Sequence, residues 1–427
     1  MRYKEYKKVD IPWLEEVPSH WEIKNVNSLF DERREKVTDK DYPPLSLTNN
    51  GILPQLENVA KSMASDNRKK VLKGDFVINS RSDRKGSSGL SSYDGSVSLI
   101  STVIKPRLGF NKFWHYLLKS NDFIEEFYRN GKGIVADLWT TNFQSMKSIN
   151  LPVPPKEEQE QIARFLDWKI NEIDRLIEIN KKKITTLDKF LNESIKKTLN
   201  NYNRKTTRLK NIAKSNLLSL NGNEEIDTIN YLEISDVGTG FLRKSPENII
   251  FRDAPSRARR IVNENNIIIS TVRTYLKSIY KIKSSEKDCI VSTGFSVLDI
   301  DPKHNIDYIY FVLLSDEFLD NVQRVSYGVS YPAISDSQLM NLRLSIVEDR
   351  GKQDEVVEKL FRLQKTVDKD TKNIQFQINN LKLLKQSLIS DVVMGNIDVR
   401  NVVIPEYDKA SEIEDDVILD ENFNEEV

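Results

Sequence analysis

The sequence predicts an α+β chain: two duplicated mixed α/β globules separated by an antiparallel coiled coil of two long helices, pseudo-twofold symmetric. Three observations predict it. A helical run with a proline lead-in fills residues 151–199, a second run lies 194 residues further on, and the segments leading into the two runs match each other. The chain then divides into a first globule (1–152), a first long helix (153–203), a second globule (204–347), a second long helix (348–396) and an acidic tail (397–427).

Pro152, Pro154 and Pro155 exclude a helix before them and favour one starting directly after. Glu157, Glu158 and Glu160 suit the positive end of its dipole, and Lys189, Lys196 and Lys197 suit the negative end. Apolar residues recur at Leu166, Ile173 and Leu187 and, interleaved, at Ile170, Ile177, Ile184 and Leu191; Asn180, Ser194 and Thr198 interrupt them. Steps of four and three make a coiled-coil seam. About 44 helical residues reach roughly 65 Å, too long to be stable in water without a partner helix.

The partner is the run from Lys352 to Met394, whose seam is Leu360, Val367, Ile374, Ile378, Leu381 and Leu388, with Gly395 as its stop. In the frame of 194, Gln159 matches Gln353 and Ile162 matches Val356. Upstream, Met146, Ile149, Leu151 and Val153 sit 193 positions before Leu339, Leu342, Leu344 and Ile346. A compact second globule has its ends close together, so the second helix can bury its seam on the first only by running back along it.

The duplication extends into the globules. Residues 21–26 resemble 207–212, 73–80 resemble 264–271, 99–102 resemble 290–293, and the pair Leu117–Leu118 parallels Leu313–Leu314. A repeat of this length is a duplicated domain and not a solenoid unit. A single Cys (Cys289) and three scattered His (His20, His115, His304) offer neither a disulfide framework nor a Cys/His metal site. No signal peptide and no apolar run of membrane-spanning length is found, so a cytoplasmic protein with no membrane contact is expected. Net charge is zero, yet residues 397–427 hold eleven Asp/Glu against Arg400 and Lys409, which leaves the positive excess mainly in the globules.

In chain order, residues 1–20 read as an extended arm and 21–30 as a short strand or helix. Residues 43–51 read as a strand entering the Asn50–Gly51 turn. Lys61 to Lys85 carries eight basic residues, Lys61, Arg68, Lys69, Lys70, Lys73, Arg81, Arg84 and Lys85, against Asp66, Asp75 and Asp83. Within it 71–79 is strand-like and 80–89 is a loop whose Arg, Lys, Ser and Gly suit phosphate and base-edge contact. Residues 111–129 read as one amphipathic helix, and a second polar loop, 131–142, ends on Thr141 and Asn142. In the second globule, 231–234 and 267–270 read as strands. Arg252, Arg257, Arg259 and Arg260 take the place of the first basic cluster. Residues 271–277, with Arg273, Tyr275 and Lys277, answer to the 80–85 loop, and Tyr327, Ser330 and Tyr331 answer to the 132–142 loop. One scaffold with two loop chemistries is what reading two different sequences requires.

No phosphate-cradling loop, dinucleotide fingerprint or glycine-framed nucleophile occurs, so catalysis is not expected of this chain. The lead-in to Gln159, its repeat at Gln353, the stretch 270–277 and the segment 391–400 together resemble type I restriction–modification specificity subunits over nearly the whole chain. The start of the second helix, 347–353, departs by lacking the double proline. The resemblance implies two target recognition domains, each reading one half of an asymmetric interrupted site on double-stranded DNA. It implies helices that space the domains and hold two modification subunits, and it implies restriction subunits beyond those. S-adenosylmethionine, ATP and Mg belong, on this view, to those partner subunits, with no cofactor or metal on this chain. Arg81, Arg84 and Arg273 are then candidates for reading guanine edges. Two rival readings are a coiled-coil scaffold whose globules bind protein, and an enzyme with a dispersed carboxylate site.

Overall fold

The computed structural model describes residues 2–49, 51–55, 67–107, 109–133, 139–221, 226–328 and 331–408. Asn50, Lys61, Asp66, Ser330 and the tail from Lys409 onward, which carry expectations above, lie outside these residues. The chain forms two compact units, 1–181 with 375–427, and 182–374. The division falls within the long helices.

In the first unit the residues expected to form an extended arm instead fold into a hairpin, β1 (Tyr6–Ile11) and β2 (Leu14–Pro18). Tyr3, Leu14 and Val17 supply the reason, because they bury apolar surface in the core. There follow β3 (Glu22–Asn25), α1 (Val26–Leu29), β4 (Phe30–Glu32), β5 (Lys36–Val37) and the hairpin β6 (Leu45–Thr48) and β7 (Gly51–Pro54). The stretch 71–79, expected as one strand, is split between β8 (Arg68–Val71) and β9 (Phe76–Ile78). Gly74 at φ 93° turns the chain there, and the Asp75 carboxylate accepts from the Leu72 amide at 2.8 Å. Next come β10 (Ser88–Leu90), β11 (Gly95–Val97) and β12 (Thr102–Pro106). The helix expected over 111–129 is two, α2 (Asn111–Lys119) and α3 (Asn121–Arg129). Ser120 takes an extended conformation between them and caps the second by accepting from the Phe123 amide. The unit is completed by α4 (Phe143–Met146), β13 (Asn150–Val153) and the start of α5 (Lys156–Asn200).

The second unit repeats this plan with β14 (Lys205–Arg208), β15 (Ala213–Ser215), β16 (Thr228–Leu232), β17 (Glu247–Ile250), β18 (Ala258–Ile261), β19 (Ile267–Ser270), β20 (Ile279–Lys281), β21 (Ile290–Ser292) and β22 (Phe295–Ile300). Helices α6 (Ile306–Leu314), α7 (Asp316–Val325) and α8 (Asp336–Asn341) lead to β23 (Arg343–Ile346) and α9 (Arg350–Val393). Its sheet β15-β22-β19-β20 matches the first unit's β4-β12-β9-β10 strand for strand, and β14 with β23 matches β3 with β13. The other sheets differ: β11-β8-β5 in the first unit, β17-β16-β21-β18 in the second. Buried Leu117 and Leu118 of α2 correspond to Val312 and Leu313 of α6, one position earlier than the sequence match suggested.

Both long helices form as expected. In the first unit Phe165 and Leu166 of α5 share a core with Val392 and Val393 of α9, and Lys385 meets Asp174 at 2.8 Å. In the second unit Leu191, Ile195 and Leu199 of α5 pack with Val356 and Leu360 of α9. In each case the beginning of one helix meets the end of the other, so the pair is antiparallel. Burial follows the seam. Leu166, Ile173, Ile177, Leu360, Val367 and Ile378 are buried, whereas Ile170, Ile184, Leu187, Leu191, Ile374, Leu381 and Leu388 are half-buried. Asn180, the polar interruption, is buried too.

The repeated glutamine has a structural role. Gln159 accepts from the Phe110 amide and donates to the Pro154 carbonyl, both at 2.9 Å. Gln353 accepts from the Asn305 amide at 2.7 Å and donates to the Val347 carbonyl at 2.6 Å. Each thereby ties the start of a long helix to the strand before it and to the residue that opens α2 or α6. Where the second helix lacks prolines, Asp349 caps it by accepting from the Lys352 amide at 2.8 Å.

Glu158 anchors the hairpin arm. It is buried, and it accepts from the Tyr3 hydroxyl at 2.6 Å and the Trp21 indole at 3.0 Å, with the His20 Nε2 at 2.7 Å. At the far end α9 stops at Gly395, φ 81°, whose carbonyl accepts from the Tyr6 hydroxyl. A Cβ there would sit 2.5 Å from Pro18 Cδ. Gly395→Ala is therefore expected to lower stability by about 1–3 kcal/mol, read as a lower urea midpoint. An unchanged midpoint would show that Pro18 yields without cost.

Candidate nucleic-acid interface

Two loops of the first unit are laced together by main-chain hydrogen bonds. The Thr141 amide donates to the Ser80 carbonyl at 2.9 Å, and the Ser82 amide donates to the Trp139 carbonyl at 3.0 Å. Lys132 and Thr140 exchange bonds at 3.1 and 3.2 Å. Two side chains hold the first loop from below. The Tyr128 hydroxyl donates to the Asn79 carbonyl, and the Lys119 ammonium donates to the carbonyls of Asn49 and Gly86. Burial pulls the Lys119 ammonium down to about 8, and the charge of Lys385 adds to the effect.

The second unit repeats the lacing bond for bond. The Ile334 amide donates to Thr271 at 2.8 Å and the Thr274 amide to Pro332 at 3.3 Å, while Tyr327 and Ala333 exchange bonds at 2.8 and 3.0 Å. The expected correspondence of 271–277 with 80–85, and of the Tyr327 loop with 132–142, is thus present in the main chain. Arg273 and Lys277 flank the turn with φ of 51° and 50°, a conformation that residues with side chains adopt only when neighbours hold them there. The Thr274 hydroxyl donating to Ser326, and Lys277 paired with Asp316 and Asp320, are such neighbours.

The side chains divide into two groups. Arg81, Arg84 and Lys85 are exposed on the first loop pair, with Arg81 beside Asp83 and Lys85 beside Glu125. Lys132, exposed on the facing loop, joins them; its only signal in the sequence is the Gly131-Lys132-Gly133 run. On the second loop pair Arg273, Tyr275, Tyr327 and Tyr331 are exposed, with the Arg273 guanidinium 5.0 Å from the Tyr331 ring centroid.

Other candidates are placed elsewhere. Arg68 is buried on β8, donating to the hydroxyl and carbonyl of Ser96, and burial lowers its pKa. Lys69 donates to the Ser101 carbonyl, and Lys70 pairs with Glu35 over the Tyr42 ring. These three stabilise a sheet because β8 lies between β11 and β5. Thr141 is fully buried, and its hydroxyl has no hydrogen-bond partner among the described residues. Asn142 is exposed but caps α4 by accepting from the Ser145 amide. Arg257, Arg259 and Arg260 lie on or beside β18, in the other sheet; Arg257 pairs with Glu233, Arg259 stacks on Phe251, and Arg260 is half-buried. Lys277 is half-buried in its ion pairs. Loop residues could be placed by sequence, but a cation within a short strand looks the same in sequence whether it faces water or a carbonyl.

Among the described residues no group of three His, Cys, Asp or Glu side chains could hold a metal ion, and no helix is long and apolar enough to cross a membrane. What the laced loops offer is a hydrogen-bonded main chain that exposes cations and aromatic rings, a set whose chemistry suits a polyanion.

The family model described as type I restriction modification DNA specificity domain matches this chain twice, over residues 18–189 and 205–380. Among solved structures, the chain is similar to one from work on complex assembly and conformational transition of the type I R-M system. Identity is 14% and the TM-score 0.62, covering 89% of this chain and 99% of that one. An HsdS subunit from Thermoanaerobacter tengcongensis aligns with 89% of this chain and 98% of its own length, at 14% identity and a TM-score of 0.44. An S subunit of a type I system from M. genitalium aligns with 92% and 99%, at 16% identity and a TM-score of 0.35.

Proposed function

The chain belongs to the type I restriction–modification DNA specificity family, and from that premise we propose that its two laced loop pairs read the two halves of an interrupted DNA site. The observation that carries the reading is the duplicated lacing itself: one set of main-chain bonds, presenting cations in the first unit and an arginine with tyrosines in the second. In this reading, cations on such loops grip phosphates, and a subset (Arg81, Arg84 and Arg273) reads base edges. The chain itself performs no covalent step. It brings modification subunits, which supply S-adenosylmethionine chemistry, to the chosen site, and restriction subunits with ATP and Mg act beyond them. Leu176, Ile179, Phe376, Leu383 and Leu384 point out of the helix seam with roughly half or more of their surface exposed, and this apolar area supports docking of those subunits on the helices.

The long helices set the gap between the half-sites. Adding one heptad to each keeps the seam in phase and lengthens the pair by about 10 Å, or about three base pairs. Mapping of methylated positions is expected to return the same two half-sites with a gap longer by that amount. An unchanged gap would overturn the spacer role. Globules that bind protein instead of DNA would show no salt-dependent affinity for the mapped duplex.

A further inference from the structure

The second loop pair carries a feature that grip by charge does not explain. Tyr327 is 90% exposed, and Tyr331 and Tyr275 on the same loop pair are 65% and 46% exposed. Scattered exposed rings are ordinary, but three on one laced loop pair form a patch. The main chain under Tyr327 is fixed: its amide and carbonyl both bond to Ala333. Gly328 follows at φ 124°, a turn that a side chain would strain. A ring on a pinned main chain, with nothing among the described residues packed over it, is ready to stack on a flat partner without first losing freedom. At the equivalent place in the first unit stands Lys132, which exchanges the same pair of bonds with Thr140. The two units therefore differ in kind at this position, a point charge in one and an aromatic face in the other.

We infer that Tyr327 acts as a stacking wedge, placing its ring against a base of the second half-site and opening one base step there. The Arg273 guanidinium over Tyr331 keeps a cation beside the wedge to hold the adjoining phosphate. A nucleic-acid partner is favoured over a protein one because the patch sits on the same laced frame that carries Arg81, Arg84, Lys85 and Lys132 in the first unit. The inference rests on the DNA-reading function proposed above.

The test uses the full chain assembled with its modification subunits, on duplexes of the mapped site in which 2-aminopurine is moved through the second half-site one position at a time. Fluorescence is expected to rise at one step with the wild type and with Tyr327→Phe. With Tyr327→Ala the rise is lost and affinity falls about tenfold, the size of one base–aromatic stack. So exposed a side chain can be removed without disturbing the fold. DNA binding with no rise at any position, or a Tyr327→Ala response equal to the wild type, would overturn the wedge while leaving DNA reading intact. Unchanged DNA affinity in Tyr327→Ala together with loss of a protein partner would make the patch a protein-docking surface and likewise overturn it. Wild-type chain with no salt-dependent DNA affinity would instead sink the DNA-reading function itself.

Discussion

Glu158→Leu is expected to destabilise the protein by about 3–5 kcal/mol, because it leaves the buried Tyr3 hydroxyl and Trp21 indole without an acceptor. Two orphaned donors cost about 1–3 kcal/mol each, and the apolar replacement cannot recover that, since its neighbours are shaped for a carboxylate. The His20 ring, on the wetter side of the cluster, can turn to water and adds less. Glu158→Gln keeps an acceptor where Tyr3 and Trp21 converge, so its loss should be the smaller of the two. Urea unfolding of both variants checks the order. If Glu158→Leu unfolded within about 1 kcal/mol of the wild type, the carboxylate would not be what holds the N-terminal hairpin to the first long helix.

Gln353→Leu is expected to cost about 2–4 kcal/mol, since it strands the Asn305 amide and the Val347 carbonyl inside the protein. Gln353→Glu keeps the acceptor for Asn305 but puts a lone pair where the Val347 carbonyl needs a donor, so it should not rescue. The counterpart Gln159→Leu removes the same two kinds of bond in the first unit. Each glutamine sets where its helix leaves its own unit, so the variants should separate in function. Gln159→Leu is expected to weaken discrimination in the first half-site, and Gln353→Leu in the second. Equal weakening at both half-sites in either variant would show that the glutamines act on stability alone.

What the sequence made legible follows from what kind of signal carries each feature. The long helices were readable because forty-odd residues of four-three spacing average over local noise, and Gln159 with Gln353 marked the duplicate because nothing polar is repeated so far inside a core without a bonding reason. The two-loop correspondence was readable because flanking strands such as Ile267–Ser270 fixed its ends. Four features were not. The break at Ser120 depends on one hydroxyl choosing a cap over a helix interior, and the hairpin at the N-terminus depends on a core contributed by distant residues such as Trp114 and Val392. Arg68 was misread because a cluster of cations in sequence carries no sign of which one turns inward to meet Ser96. Thr141 was misread for the same reason, being the pivot of the lacing through its amide while its side chain faces the core.

The lacing has a consequence for how such a protein changes over generations. Amides and carbonyls do the joining, and every residue except proline brings both. Under the DNA-reading role proposed above, point changes in the outward side chains can therefore reach a new target word without refolding the frame. Either half can drift on its own schedule, and a half exchanged with a related chain would arrive with its joinery complete.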